Sequence, residues 1–265
     1  MTAYYNEIDP YAAQWLRNLI AAGHIAPGDV DERSIEDVKP NDLRNYTQCH
    51  FFAGIGVWSY ALRNSGWPDN KPVWTGSCPC QPFSAAGRGN GFADERHLWP
   101  HFHYLIEQCR PRVVFGEQVA SGLGWFDLVQ TDLAGAGYSS AAIDICAAGV
   151  GAPHIRQRLY WVGHANNPVP QGLRRHWEIV HQEGWQDSKR HTLSSDVAAH
   201  VWNEWEPNQG ADGKIRIIPA NYGKAVDGIT NRVGRLRAYG NAIVAPVAEA
   251  FIRAYIGSLN EITEI

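Results

Sequence analysis

The stretch GSCPCQPFS, residues 76–84, sets Cys78 and Cys80 on either side of one proline, in a segment too broken for helix or strand. Two thiols that close suit a metal site, a redox pair, or one nucleophile beside a bystander. The spacing is not Cys-x-x-Cys, and no second cysteine pair completes a zinc site. His97, His101 and His103 in HLWPHFH are nearby, but histidines on a helix are usually packed or solvated, so no metal is expected. The adjacent prolines stiffen the loop against closing a disulfide. One nucleophile remains, and it needs an exposed loop that lowers the thiol pKa.

Other residues carry chemistry of their own. Glu117 in GEQV ends an apolar run; a carboxyl among apolar neighbours tends to stay protonated and can donate a hydrogen bond. Arg156 and Arg158 in PHIRQR are two apart, hence on one face of a strand, where they suit a carboxylate, a phosphate or a carbonyl oxygen. A structural salt bridge accounts for them equally well. FFAGIG, residues 51–56, offers a glycine turn at a helix N-terminus but lacks the third glycine of the dinucleotide pattern, and a plain tight turn accounts for it equally well. Glu7 in NEID and Asp29 in GDV stand at strand ends, where one carboxylate can take a ribose diol and the other an adenine amino group. Either also suits a helix cap or a surface charge.

These residues need a scaffold. Residues 2–9 read as a strand, 10–23 as a helix with proline near its start and glycine at its stop, and 31–43 as a polar segment of helix and loop. Strand signals recur at 46–56, 72–80, 112–119, 138–150 and 156–163, separated by the helical stretches VWSYALRNSG, HLWPHFHYLIEQCRP and GWFDLVQTDLAGAG. The alternation predicts an α/β fold with a mostly parallel sheet covered by helices. After Gly163 the chain turns polar and Trp-containing, with few periodic segments, until a strong helix is expected over 235–259.

The composition, 45% hydrophobic and 19% charged over 265 residues, is that of a globular chain. No apolar run is long enough for a bilayer span, the start lacks a secretion signal, and five cysteines is an odd count without scaffold spacing. A cytoplasmic chain with reduced thiols and no membrane partner is expected. The net charge of −4 hides a gradient: residues 1–150 hold 10 Lys/Arg against 16 Asp/Glu, and residues 151–237 hold 12 against 8. A polyanion meets the second region first, although a solvated surface explains the same numbers.

FFAGIG, GSCPCQPFS, GEQV, GAPHIRQR and YGNAIVAPV, in that order, resemble successive motifs of the DNA cytosine-5 methyltransferases. The resemblance implies a Rossmann-like S-adenosylmethionine-dependent methyltransferase sheet with a small target-recognition region, and transfer of a methyl group to carbon 5 of cytosine in duplex DNA. It makes Cys80 the nucleophile toward carbon 6, and Glu117 the proton donor at the nitrogen-3 edge. Arg158 becomes the contact to the ring carbonyl, Arg156 a loop-ordering residue or a support for Glu117, and Cys78 a bystander. The implied cofactor residues are Glu7, Ile8, Asp29, Val30, Phe52, Ala53, Gly54, Ile55, Gly56, Leu98, Asn241 and Ala242. The implied DNA contacts are Gln81, Ser84 and Arg88, in and before a Gly-rich loop at 85–95, with Arg174 and Arg175 in the basic segment. The target base must be rotated out of the stack to be reached.

One arrangement departs from the common family order. The glutamate and aspartate segments usually follow the glycine turn, yet too few residues separate Gly56 from Cys80 for two further βα units. NEIDPYAAQWLRNLI and GDVDERSIEDV, at the front, are similar to those segments, which implies a permuted chain that visits the same sheet in another order. The expected division is a catalytic domain of 1–163 and 235–265 around a recognition region of 164–234, in a chain for which a monomer suffices. Substitutions within the motifs include His50 for aspartate, Gln118 for asparagine and Ala242 for serine. The rival readings are a tRNA cytosine-5 methyltransferase, whose recognition motif is not found here, a non-catalytic DNA-binding relative, and a generic thiol enzyme.

Overall fold

The computed structural model describes residues 2–79, 98–119, 123–152, 154–165, 205–209, 215–219 and 241–263. Strands β1 (Thr2–Asn6), β2 (Gly28–Asp31), β3 (Tyr46–Phe51), β4 (Val73–Gly76), β5 (Val113–Val119), β6 (Tyr138–Cys146) and β7 (Gln157–Ala165) form one sheet. Its order is β2-β1-β3-β4-β5-β7-β6. The first five strands in that order run parallel, and β7 enters antiparallel between β5 and β6. The front of the chain thus supplies β1 and β2 beside β3, the sheet position that the permuted motif order requires.

Each helix starts where the chemistry of its first turn allows. Asp9 caps α1 (Pro10–Ala21), its side chain accepting from the N–H of Tyr11 at 2.9 Å and of Ala12 at 3.3 Å. The polar segment after β2 forms a 3₁₀ turn at Ile35–Asp37 and the short α2 (Pro40–Leu43). Gly56, at φ 78°, opens α3 (Val57–Asn64) in the left-handed region that suits glycine. The helices α4 (Trp99–Cys109) and α5 (Leu123–Gly135) follow β4 and β5.

The sheet buries both faces. Trp99, Phe102, Leu105 and Ile106 of α4, with Val129 and Leu133 of α5, pack on one side against Phe51, Trp74, Val114 and Trp161. Trp58, Ala61 and Leu62 of α3 meet Phe115, Tyr160 and Val162 on the other, joined by Val247, Phe251, Ile252 and Tyr255 of α6 (Ala245–Thr263). Two strand glycines make room for this packing. A Cβ on Gly76 would stand 2.4 Å from the Phe102 ring, and one on Gly116 would stand 2.1 Å from the Trp161 indole.

Four sequence expectations are corrected. The last helix begins at Ala245 rather than 235, because Pro246 fits only the first turn, where its missing N–H is no loss. The strand expected over 138–150 stops at Cys146 and gives way to a 3₁₀ turn, Ala147–Val150. β7 runs on to Ala165, past the boundary set at 163, and Arg156 lies just before it. Within the region read as having few periodic segments, where no strand was assigned, β8 (Trp205–Gln209) and β9 (Ile215–Pro219) form an antiparallel ladder.

Candidate functional site

The strand registers line up one row across the sheet: Asp31, Asn6, Phe51, Gly76 and Gly116 are successive neighbours on five strands. One residue further toward the carboxyl edge come Glu7, Phe52, Ser77 and Glu117. The side chains that matter are brought together by this register. Open parallel sheets bind ligands at that edge. A cleft of about 350 Å³ lies there, a volume within the range of small-molecule sites.

One part of the cleft is built around Glu7. Its Oε2 accepts the Gly54 N–H at 2.7 Å and its Oε1 accepts the Asp9 N–H at 3.0 Å, so the carboxylate is fixed to the glycine turn. The Ala53 N–H donates to the Asn6 carbonyl at 3.0 Å, which ties the same turn to β1. Phe52 and Gly54 have φ of 51° and 55°, so the chain crosses the cleft floor in the left-handed region. Phe52 stands edge-on to Phe102, with ring centroids 6.1 Å apart. Ile8, 65% exposed, also lines this region.

The β2 end of the cleft differs from the sequence reading. Asp29 lies outside it and accepts the Tyr46 hydroxyl at 2.8 Å. Val30 is outside too, packed against the small core cluster that holds Leu16 and Ala26. β2 runs two residues beyond Asp29, which makes Asp31 the strand-end carboxylate. Asp31 accepts the Tyr4 hydroxyl at 2.7 Å, and Arg33 at 3.0 Å through Nε and 2.7 Å through Nη2. These partners hold Asp31 below the usual carboxylate range despite its burial. Arg33 also reaches Asp42 at 2.9 Å, and its carbonyl accepts from Asn6 Nδ2 at 2.8 Å. Arg33, Ser34 and Ile35 therefore form the cleft wall where Asp29 and Val30 were expected.

The other part of the cleft holds the charged pair. Glu117 is 7% exposed, and Arg158 Nε lies 2.9 Å from its Oε1. Burial pushes the Glu117 carboxyl upward, against the pull of Arg158, Arg156 and a hydrogen bond from Ser77. Burial and the neighbouring Arg158 draw the Arg156 pKa down, and its Nη2 donates to the Ala242 carbonyl at 2.9 Å. Gln118 Nε2 donates to the Cys78 carbonyl at 3.5 Å, linking β5 to the segment after β4. Cys78 is buried, and burial pushes its thiol far up, which makes it unreactive. Pro79 lines the cleft one residue before Cys80.

Of the expected residues, the cleft gathers Glu117, Arg156 and Arg158 with Glu7, Ile8, Phe52, Gly54, Ile55, Leu98 and Asn241. Ala53 and Gly56 serve inside the turn, and Ala242 offers its carbonyl to Arg156, so none of the three lines the cleft. Cys80, Gln81, Ser84, Arg88, Arg174 and Arg175 lie outside the described residues. Sequence reasoning missed Asn6, Arg33, Ser34, Ile35 and Ser77. Ser77 follows β4 as Glu7 follows β1, but its meeting with Glu117 depends on strand register, which no local signal in the sequence marks.

A parallel-sheet cleft with a fixed carboxylate at one part and a buried carboxyl–guanidinium pair at the other defines an α/β enzyme that holds a nucleotide-like cofactor beside its reacting groups. Residues 60–210 match the model of the C-5 cytosine-specific DNA methylase family. The type II methyltransferase M.HaeII of Haemophilus aegyptius is 26% identical over 86% of this chain and 88% of its own length. M.NlaX of Neisseria lactamica, also a type II methyltransferase, is 26% identical over 63% of this chain, which spans 45% of that protein. Among solved structures, the S. pombe Dnmt2 methyltransferase aligns over 98% of this chain and all of its own, at 13% identity and a TM-score of 0.49. The chain belongs to the C-5 cytosine-specific DNA methylase family, and is accordingly a DNA cytosine-5 methyltransferase that uses S-adenosylmethionine.

The cleft fits that cofactor. Glu7 has its carboxylate fixed by two backbone N–H groups at the edge of a glycine turn, the disposition that receives a ribose diol. A Cβ on Gly54 would meet nothing within 4 Å, so the turn itself is open on that side. Glu7→Gln is expected to weaken S-adenosylmethionine binding about tenfold or more, since a charge-assisted hydrogen bond contributes roughly 1.5–3 kcal/mol. Isothermal titration checks this, and an unchanged Kd would take Glu7 out of the cofactor site.

Proposed function

We propose that the protein methylates carbon 5 of cytosine in duplex DNA through a transient covalent bond from Cys80, on a base rotated out of the helix. The observation that carries the reading is the buried Glu117–Arg158 pair, set in one cleft with Glu7 and with Pro79, the residue before Cys80. A carboxyl group that burial pushes toward its protonated form suits donation to nitrogen 3 of the ring. Arg158 keeps further guanidinium donors for the ring carbonyl while its Nε holds Glu117 in place.

In this reading the Cys80 thiolate forms a bond to carbon 6 as Glu117 gives its proton to nitrogen 3. Electron density then collects at carbon 5. When bound, S-adenosylmethionine supplies an electrophilic methyl group on a sulfonium centre. Loss of the carbon 5 proton to a base then breaks the bond between the Cys80 sulfur and carbon 6, which frees Cys80, and nitrogen 3 returns its proton to the Glu117 carboxylate. Glu7, Ile8, Phe52, the turn at Gly54–Ile55 and Asn241 would hold the cofactor, with Arg33, Ser34 and Ile35 on the wall near β2. Residues 1–163 and 235–265 would form the catalytic domain. Residues 164–234, with Arg174 and Arg175, would read the target, and Gln81, Ser84 and Arg88 would meet the DNA near the opened base. A cytoplasmic setting is part of the same proposal.

Tritiated cofactor incubated with duplex DNA and, separately, with tRNA tests the substrate. Label is expected in duplex DNA, and label confined to tRNA would overturn the assignment. DNA containing 5-fluorocytosine is expected to trap a denaturation-resistant complex, because a fluorine at carbon 5 blocks the final elimination. Without that complex, the covalent step falls.

A further inference from the structure

Ser77 stands between an indole and the buried carboxyl. It follows Gly76 on β4, as Glu117 follows Gly116 on β5, and these two glycines are register partners in neighbouring parallel strands. Trp58 Nε1 lies 3.0 Å from Ser77 Oγ, and Ser77 and Glu117 line the same cleft, where the Ser77 hydroxyl acts to draw the Glu117 carboxyl downward against its burial. An indole N–H only donates, so Ser77 Oγ accepts from Trp58; once Glu117 has given up its proton its carboxylate only accepts, so in that state the Ser77 proton points to Glu117. The other charged or titratable groups that face Glu117 among the described residues are Arg158, Arg156 and Tyr160, all on or beside β7. Ser77 is thus the neutral donor on the β4 side of the pair.

We propose that Ser77, oriented by Trp58, is a positioning residue that governs how readily Glu117 releases its proton to the target base. This rests on the reading of Glu117 as the donor at nitrogen 3. As the Cys80 sulfur bonds carbon 6, the proton leaves Glu117 for nitrogen 3 and the negative charge stays on the carboxylate. The Ser77 hydroxyl donates to that newly formed anion at the moment it appears. Without it Glu117 is a weaker acid, with two linked consequences. Transfer slows where Glu117 is fully protonated, and the loss of activity on the alkaline side is delayed.

The test is the pH profile of single-turnover methylation for the wild type, Ser77→Ala, Ser77→Thr and Trp58→Phe. Alongside it, infrared spectroscopy follows the carbonyl stretch of protonated Glu117, assigned by its loss in Glu117→Gln. Ser77→Ala is expected to lower the plateau rate several-fold and to move the alkaline limb and the infrared titration upward by about one pH unit, the size of one charge-assisted hydrogen bond. Ser77→Thr keeps the hydroxyl and restores both. Trp58→Phe moves both in the same direction by less, because the hydroxyl stays but is no longer aimed. An infrared titration unmoved in Ser77→Ala overturns the proposal whatever the rate does. A titration that moves while the rate limb stays put upholds Ser77 and removes Glu117 as the proton donor.

Discussion

Replacing Cys80 by serine is expected to lower methyl transfer to DNA by about 10⁴-fold or more, a loss of the order seen when a covalent nucleophile is removed. The reason is ionisation. A cysteine thiol titrates near pH 8.5 and lower beside positive charge, so a working fraction is thiolate at neutral pH. A serine hydroxyl at the same position stays protonated, and the bond to carbon 6 does not form. Cofactor binding should be untouched, since Glu7 is fixed by the Gly54 and Asp9 N–H groups. Quench-flow transfer of label, titration with S-adenosylmethionine and the 5-fluorocytosine trap separate these effects. A serine variant that methylates at the wild-type rate would refute the covalent reading.

Glu117→Gln is the second large effect: a fall of about 10²- to 10⁴-fold in single-turnover rate, the usual worth of a positioned general acid. Glutamine keeps an oxygen to accept Arg158 Nε, so the cleft should retain its shape. What it lacks is a proton to give. The sign of the pH effect follows from the buried carboxyl, whose pKa is raised by burial. Below its raised pKa Glu117 is protonated and active; as pH climbs through that value the proton is lost and the rate declines. Burial has a second consequence for stability. The unfolded chain releases this proton at a lower pH than the folded chain does, so the contribution of Glu117 to stability is fully present below the unfolded pKa and lost as pH rises through the folded one. The glutamine variant should lose the alkaline limb assigned to Glu117, leaving a flat, slow profile in that range. A variant that keeps the wild-type limb would assign it to another group.

Much of this was legible because it is local. Glu7 could be placed at a strand end from the apolar residues before it and the proline-led helix after it, and β1 and α1 confirm that boundary. Glu117 stood at the end of an apolar run and is buried as that run implies. Asp29 failed because the residue that ends a strand depends on its partner. β2 pairs with β1 as far as Asp31, and nothing within GDVD marks that endpoint. The β8–β9 ladder was missed although Gly-Ala-Asp-Gly-Lys stands between its strands in the sequence, a five-residue glycine-containing spacing that signals a hairpin. Ser77 was illegible for a stronger reason: its meeting with Glu117 depends on a strand register, and its link to Trp58 on a helix-to-sheet contact.

The placement of β1 has a bearing on how the chain matures. On a ribosome β1, α1 and β2 emerge before β3 and can pair at once, yet β1 is an interior strand whose other flank belongs to β3. Until β3 is made, that flank offers unpaired amides and carbonyls on an apolar ribbon, the sort of edge that recruits neighbouring chains. Nascent chains stalled just after β2 should therefore be sticky and dependent on chaperones, and those extended through β3 should be released from that dependence.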